Sequence, residues 1–237
     1  MIPFVIDGQP VEWKEGGSIL EAALDAGIEI PHLCYNESVK PYGACRLCLV
    51  EVVRRGRSRM TTACTHPVME GIEVLTQSEK VLRARRMIME LILAMCPEDK
   101  LIQDMAKQMR VEEVRFKKDK KDCILCGLCA RVCEEVVGAN AIQFASRGDR
   151  REMIPPFGGE AQNCIACGAC VVACPVDVIK MKEEGDERTI IRWKRTLKMR
   201  QCKVCGNYFA PWFQLEKFRE KANLSKDFFD VCFTCRT

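Results

Sequence analysis

Apolar and polar residues alternate from the start of the chain. IPFVIDG, a Gly-Gln-Pro turn and VEW read as a β-hairpin with Asp7-Gly8 at its tip. The period then lengthens: Ser18 stands as an N-cap ahead of ILEAALDAG, Glu21 completes a capping box, and Gly27 supplies the stop. A loop from Ile30 to Gly43 follows, and LCLVEVV (47–53) and GIEVLTQ (71–77) return to strand character. Two strands, a helix, a loop and two further strands describe a small mixed domain of the β-grasp kind. From Ser78 onward Val81, Ala84, Ile88, Leu91 or Ile92, and Met95 recur every three to four residues. That spacing predicts an amphipathic helix with Arg83, Arg86 and Glu90 on its other faces. Pro97 ends it and suits the first position of the next helix, PEDKLIQDMAKQM, with Leu101, Met105 and Met109 inward. Residues 111–121 read as a charged linker. Two cysteine-rich runs extend to about residue 182, EEGDERT (183–189) breaks the pattern, and a last cysteine module closes the chain. The expected class is α+β, with domains at 1–77, 78–121 (helical connection and linker), 122–190 and 191–237.

Composition sharpens this picture at one residue type. The apolar share of 48% and aromatic share of 7% are unexceptional, but the 237 residues include 17 cysteines. MIPFVIDGQPVEW shows no basic region followed by an apolar run, so no secretory signal is read, and the cysteines fall mostly in pairs two residues apart. No apolar run approaches the roughly 18 residues of a membrane span. A reduced, cytoplasmic, metal-bearing protein is expected. The formal charge of +4 counts every cysteine as neutral. A four-thiolate iron–sulfur or zinc centre carries roughly −2, so four such sites bring the total to about −4. The basic runs RRGRSR (54–59) and RFKKDKK (115–121) then offset buried negative charge and are weak grounds for a nucleic-acid partner.

Sixteen of the cysteines sort into four sets. Cys34, Cys45, Cys48 and Cys64 leave intervals of ten, two and fifteen residues: a wrapping loop, a tight pair and a distant fourth ligand. Small residues in PYGACRLC let backbone N–H groups approach a 2Fe–2S centre. A structural zinc site or buried thiols would also satisfy the spacing. CILCGLCARVCEE (123–135) and CIACGACVVACPV (164–176) repeat spacings of two, two and three, with Gly127 and Gly168 allowing close backbone approach. CKVCG and CFTC place Cys202, Cys205, Cys232 and Cys235 as two knuckles 26 residues apart. Zinc fits them best, with packing expected from Tyr208, Phe209 and Trp212, and a further iron–sulfur cluster is the alternative. Cys96 is left over and reads as a buried, inert thiol; its place before Pro97 leaves open a lowered pKa. His32 and His66 flank Cys34 and Cys64, with supporting or surface roles expected.

LCYNESVKPYGACRLCLVEV and RRMIMELILA make residues 1 to about 110 resemble the N-terminal region of complex I's large iron–sulfur subunit. They are closer still to the diaphorase-side iron–sulfur subunit of NAD-linked nickel–iron hydrogenases and to related formate dehydrogenase subunits. The resemblance implies a ferredoxin-like β-grasp domain and assigns its 2Fe–2S centre to Cys34, Cys45, Cys48 and Cys64. Many relatives carry a further 4Fe–4S centre on one histidine and three cysteines after this helix. LAMCPEDKLIQDMAKQM offers only Cys96, so that centre is expected to be absent. Residues 123–182 resemble a bacterial two-cluster 4Fe–4S ferredoxin domain, in which the fourth cysteine of each run serves the other cluster. This implies Cys123, Cys126, Cys129 and Cys174 for one 4Fe–4S centre and Cys164, Cys167, Cys170 and Cys133 for the other. Pro175 follows the second run as that pattern expects, whereas Glu134 stands in the first.

No dinucleotide fingerprint, Walker loop or Ser/His/Asp arrangement accompanies these ligands, so no catalytic residue is assigned. The expected role is electron relay between a flavin/NAD(H)-binding subunit and a hydrogenase or other terminal oxidoreductase subunit, without catalysis by this chain. The same relay in a formate dehydrogenase or electron-bifurcating complex is the alternative. A self-standing iron–sulfur reductase and a nucleic-acid-binding protein stand further off.

Overall fold

The computed structural model describes residues 1–117 and 122–236. The end of the expected linker, and with it most of the basic run at 115–121, lies outside the described residues. The chain divides into two compact units, Met1–Cys126 and Gly127–Thr237.

In the first unit β1 (Ile2–Ile6) and β2 (Gln9–Trp13) form the expected hairpin, turned by left-handed Asp7 (φ 48°) and Gly8 (φ 83°). Such a pair matches the twist of the strands it joins. Helix α1 (Ile19–Asp25) starts at Ser18, whose hydroxyl accepts the Glu21 N–H while the Glu21 carboxylate accepts the Ser18 N–H. Strands β3 (Leu49–Arg54), β4 (Arg57–Thr62) and β5 (Glu73–Leu75) complete a sheet of order β2-β1-β5-β3-β4. Only the central β1–β5 pair is parallel. Phe4, Ile6, Val11, Val50, Val52 and Val74 bury against Ile19, Leu20, Ala22 and Ala23 of α1, which is the β-grasp arrangement.

Strand β4 was not among the expected elements. It is an exposed edge whose residues Arg57, Ser58, Arg59 and Met60 face solvent, so no apolar alternation marks it. Positive charge on an unpaired edge discourages pairing with another chain. The run RRGRSR is therefore the Arg55-Gly56 turn and this edge strand.

Helix α2 (Glu79–Met95), capped by Ser78, and α3 (Lys100–Gln108), capped by Asp99, follow as expected but rotated. The buried side of α2 is Val81, Arg85, Met89, Glu90, Ile92 and Ala94, while Leu91 is exposed; in α3 it is Ile102 and Ala106 rather than Leu101. Expected outer-face Glu90 is buried because Arg115 grips it. The Arg115 side chain makes three contacts to the two carboxylate oxygens (2.7–3.1 Å) and its backbone N–H adds a fourth at 2.6 Å. Arg85 is buried because its Nε and Nη2 both donate to the Leu49 carbonyl, at 3.0 and 2.6 Å.

The second unit opens with α4 (Leu128–Arg131) and a π-helical turn (Val132–Val137), then a β6 (Gln143–Ala145)–β7 (Glu152–Ile154) ribbon and α5 (Ala169–Ala173). EEGDERT is the bend of a hairpin, β8 (Met181–Glu184) with β9 (Glu187–Ile190), whose alternation is hidden because all of β8 is exposed. Strands β10 (Arg195–Gln201) and β11 (Tyr208–Pro211) extend it to a sheet of order β11-β10-β9-β8, and α6 (Trp212–Ala222) follows. Ala141, Ile142, Met153, Ala161, Ile179, Ile190 and Trp193 form the core beneath the cysteine motifs. No described helix is long and apolar enough to cross a membrane.

Candidate iron–sulfur and zinc sites

The first set lies where the loop after α1 meets β3 and the turn after β4. Cys34, Cys45, Cys48 and Cys64 are all buried. The Cys45 N–H donates to Cys34 Sγ at 3.4 Å, and the Cys48 and Cys64 sulfurs stand 3.3 Å apart. Hydrogen bonding from the Cys45 and Cys64 side chains pushes the Cys34 thiol far down, and Cys64 likewise lowers Cys48. Their partners Cys45 and Cys64 are pushed up. Four buried thiols that compete for protons in this way become four thiolates only around a cation, so the donor set fits a metal centre. Gly43 is required here: its φ is +70°, and an added Cβ would come within 3.2 Å of Thr65 beside Cys64. Arg85 holds a positive charge behind the set, next to the Leu49 carbonyl; burial pulls its pKa down only to about 10. His32 and His66 each direct Nδ1 to a nearby backbone carbonyl, Ile30 O and Pro67 O, both at 2.8 Å. Cys96 is buried at the C-terminal end of α2, not at a helix N-terminus.

The twin motifs share one backbone. In CILCG, Leu125 (φ 52°) and Gly127 (φ 72°) are left-handed; in CIACG, Ala166 (φ 51°) and Gly168 (φ 80°) repeat this. Glycine takes that conformation freely, but Leu and Ala are held there at a cost of order 1 kcal/mol. Such alternation turns successive N–H groups inward, as a loop around an anion requires.

Cys133, Cys164, Cys167 and Cys170 line one cavity, closed by Ile142, Ile165 and Trp193. The motif-crossing set thus meets in space: Cys133 comes from the first run, the other three from the second. Three of the four sulfurs have an N–H donor nearby. The Ala141 N–H reaches Cys133 Sγ at 3.4 Å, the Ala166 N–H reaches Cys164 Sγ at 3.4 Å, and the Trp193 indole N–H reaches Cys170 Sγ at 3.3 Å. Burial pushes Cys170 up to about 12 against the pull of that indole, and raises Cys133 and Cys164 as well. Thiols this reluctant to ionise alone suit a shared cationic core. Arg195 completes the surround, its Nε 3.0 Å from the Cys164 carbonyl and its guanidinium paired with Glu160. Trp193 and Arg195 were missed in the sequence, where no motif marks them; the turn after β9 delivers both. Of the other set, Cys129 in α4 and Cys174 just after α5 pack on the core of the second unit, and Cys123 and Cys126 end the first unit. Pro175 stops α5, whereas Glu134 lets the chain run on as the π-helical turn until Gly138 (φ 77°).

The last set is tighter. The Cys202, Cys205, Cys232 and Cys235 sulfurs all lie within 4.8 Å of one another. The buried cluster of this module is Ala210, Leu215 and Phe229; of the residues expected to pack there Phe209 lies against it, while Tyr208 and Trp212 are substantially exposed.

Residues 1–79 match the family described as the 2Fe-2S iron-sulfur cluster binding domain. Residues 163–210 match the 4Fe-4S dicluster domain, a span that takes in the second motif and reaches Cys202 and Cys205. The chain is 38% identical over 207 residues, 77% of its length, to the NADPH-Fe(3+) oxidoreductase subunit alpha of Geobacter sulfurreducens, covering 24% of that protein. It is 30% identical over 211 residues to the NADP-reducing hydrogenase subunit HndD of Solidesulfovibrio fructosivorans, covering 76% of this chain and 36% of that one. The chain therefore spans a quarter to about a third of these curated relatives. A chain in the crystal structure of the NAD+-reducing [NiFe]-hydrogenase in the H2-reduced state aligns with a TM-score of 0.65 at 29% identity, over 74% of this chain and 85% of its own. The expected likeness to subunits of NAD(P)-linked oxidoreductases is thus present in sequence and in fold.

Proposed function

We propose that this chain, with its iron–sulfur domains and its likeness to NAD(P)-linked oxidoreductase subunits, is an electron-transfer subunit. It relays electrons between a flavin/NAD(H)-binding subunit and a hydrogenase-type terminal subunit, and it does not itself transform a substrate. The observation that carries the reading is the convergence of Cys133 with Cys164, Cys167 and Cys170 around one cavity, with N–H donors aimed at three of the four sulfurs. A ligand set that crosses between two such motifs is the pattern of bacterial two-cluster ferredoxins.

The proposed ligands are Cys34, Cys45, Cys48 and Cys64 for a 2Fe–2S centre, and Cys123, Cys126, Cys129 and Cys174 with Cys133, Cys164, Cys167 and Cys170 for two 4Fe–4S centres. Such centres, when bound, accept and release single electrons without leaving their ligands. The chain's residues do the rest. Burial of the first set excludes water, Arg85 supplies a fixed positive charge, and the N–H groups of Cys45, Ala141, Ala166 and Trp193 favour added negative charge on the sulfurs. The relatives are named for NADPH, NADP and NAD+, and the hydrogenases among them favour that complex over a formate dehydrogenase.

The test is anaerobic purification of the native complex with metal analysis and redox titration of the chain. Roughly ten irons across the three sets, bleached by dithionite and reoxidised reversibly, together with a copurifying flavoprotein, are expected. Cys133→Ser should remove the EPR signal of one 4Fe–4S centre and spare the 2Fe–2S signal. Colourless protein that takes up no electrons refutes the relay.

A further inference from the structure

We infer that Cys202, Cys205, Cys232 and Cys235 hold one zinc ion, a redox-silent clamp that ties the C-terminal turn to the β10–β11 hairpin. The dicluster match runs through Cys202 and Cys205 and, by spacing alone, would make them cluster ligands. Their geometry opposes that. A tetrahedral zinc site with Zn–S bonds of about 2.3 Å sets its sulfurs about 3.8 Å apart. Cys205 and Cys232 stand at 3.9 Å, and all four sulfurs lie within 4.8 Å of one another. A 4Fe–4S core puts each thiolate on a different iron and spreads the sulfurs much further. Among the described residues, no other group of three or more Cys, His, Asp or Glu side chains gathers this tightly.

The backbone is that of two facing knuckles. The Gly206 N–H returns to the Cys202 carbonyl at 3.0 Å through a left-handed Gly206 (φ 74°), and the Cys235 N–H returns to the Cys232 carbonyl at 3.1 Å. The Cys232 N–H donates across the site to Cys202 Sγ at 3.3 Å, joining the two turns at the ligand itself. Asp230 braces them from outside, accepting from both Arg200 and Lys203. Among the described residues only Ala210, Leu215 and Phe229 form a buried cluster here, too little apolar area to close the segment from residue 202 onward without a staple. Zinc has a single accessible oxidation state, so the conducting path ends before residue 202. That last consequence rests on the relay reading; the clamp itself does not.

The test uses the full chain, loaded with zinc or with Co2+ in its place. Wild-type protein should contain one zinc per chain irrespective of its iron content. Co2+ should give the intense visible bands of a tetrahedral four-thiolate site, and Cys232→Ser should lose that zinc with iron unchanged. A strong chelator should release the zinc, leave the iron–sulfur absorption intact, and open residues 202–237 to proteolysis. Loss of about four irons in Cys232→Ser would overturn the inference in favour of a cluster. Zinc that survives in Cys232→Ser, or a Co2+ spectrum without thiolate bands in the wild type, would overturn it as well. The Co2+ spectrum does not depend on a variant that folds. Absence of iron in an otherwise zinc-replete chain would refute the relay and leave the clamp standing.

Discussion

Trp193 is fully buried, yet its one polar atom points at a sulfur: the indole N–H sits 3.3 Å from Cys170 Sγ. A hydrogen bond to a charged acceptor contributes about 1.5 kcal/mol or more. Reduction makes the cluster more negative, so the reduced state gains more from the bond than the oxidised state. Trp193→Phe keeps the packing and removes the donor. The midpoint potential of the centre bound by Cys133, Cys164, Cys167 and Cys170 should fall on the order of tens of millivolts. Potentiometric EPR reads this directly, with the 2Fe–2S signal as the internal control; an unmoved midpoint would show that the indole only packs. Glu51 behaves differently. It lies on β3, and hydrogen bonds from Ser58, Ser78 and Lys80 hold its carboxylate down to about 2, with Lys80 Nζ at 3.1 Å. A carboxylate depressed on folding stabilises the fold above its unfolded pKa of about 4.3, and this is lost as pH falls toward 2. Glu51→Gln should therefore melt below wild type at pH 7, and the gap should narrow as the pH is lowered toward 3.

At the scale of elements, what was legible is what is locally coded. Asp7-Gly8, the Ser18–Glu21 capping box and the twin cysteine runs carry their structural instruction within a few residues, and each stands where the sequence puts it. The rotation of α2 could not be read the same way. Arg85 and Glu90 belong on its buried side because the Leu49 carbonyl and Arg115 satisfy them, and both partners are more than twenty residues away. Apolar periodicity records only the residues that need no partner. Strand β4 and the β8–β9 hairpin were hidden for the converse reason: pairing of backbone groups holds them while most side chains of β4 and all of β8 stay in water. The sites divide along the same line. Ligand cysteines announce themselves by spacing, whereas Trp193 and Arg195 are brought in by a hairpin turn that no ligand motif contains.

For the whole molecule, the distribution of burial separates the parts. Among the described residues, sixteen form the β-grasp core, only Cys48 and Cys64 among them being proposed ligands. Eight form the core beneath the twin motifs, and Cys129, Cys133, Cys164, Cys170 and Cys174 pack directly on it. The hydrophobic effect should thus carry the first unit without metal but not the second. In protein stripped of iron and zinc, slow hydrogen exchange should persist in β1, β3 and α1 and be largely lost from 127 onward. Uniform loss across both units would show that the β-grasp domain also depends on its centre.

The left-handed Leu125 and Ala166 bear on how such a protein is made. A vacant loop would be free to let a residue that carries a Cβ relax to easier conformations. Filling is then the event that commits the local chain, and an immature polypeptide presents pliable, open mouths to whatever delivers its cargo. Replacing either residue by glycine would ease the finished form and, in the same stroke, blunt the difference between the vacant and the loaded states by which a cell could tell a ready subunit from an unready one.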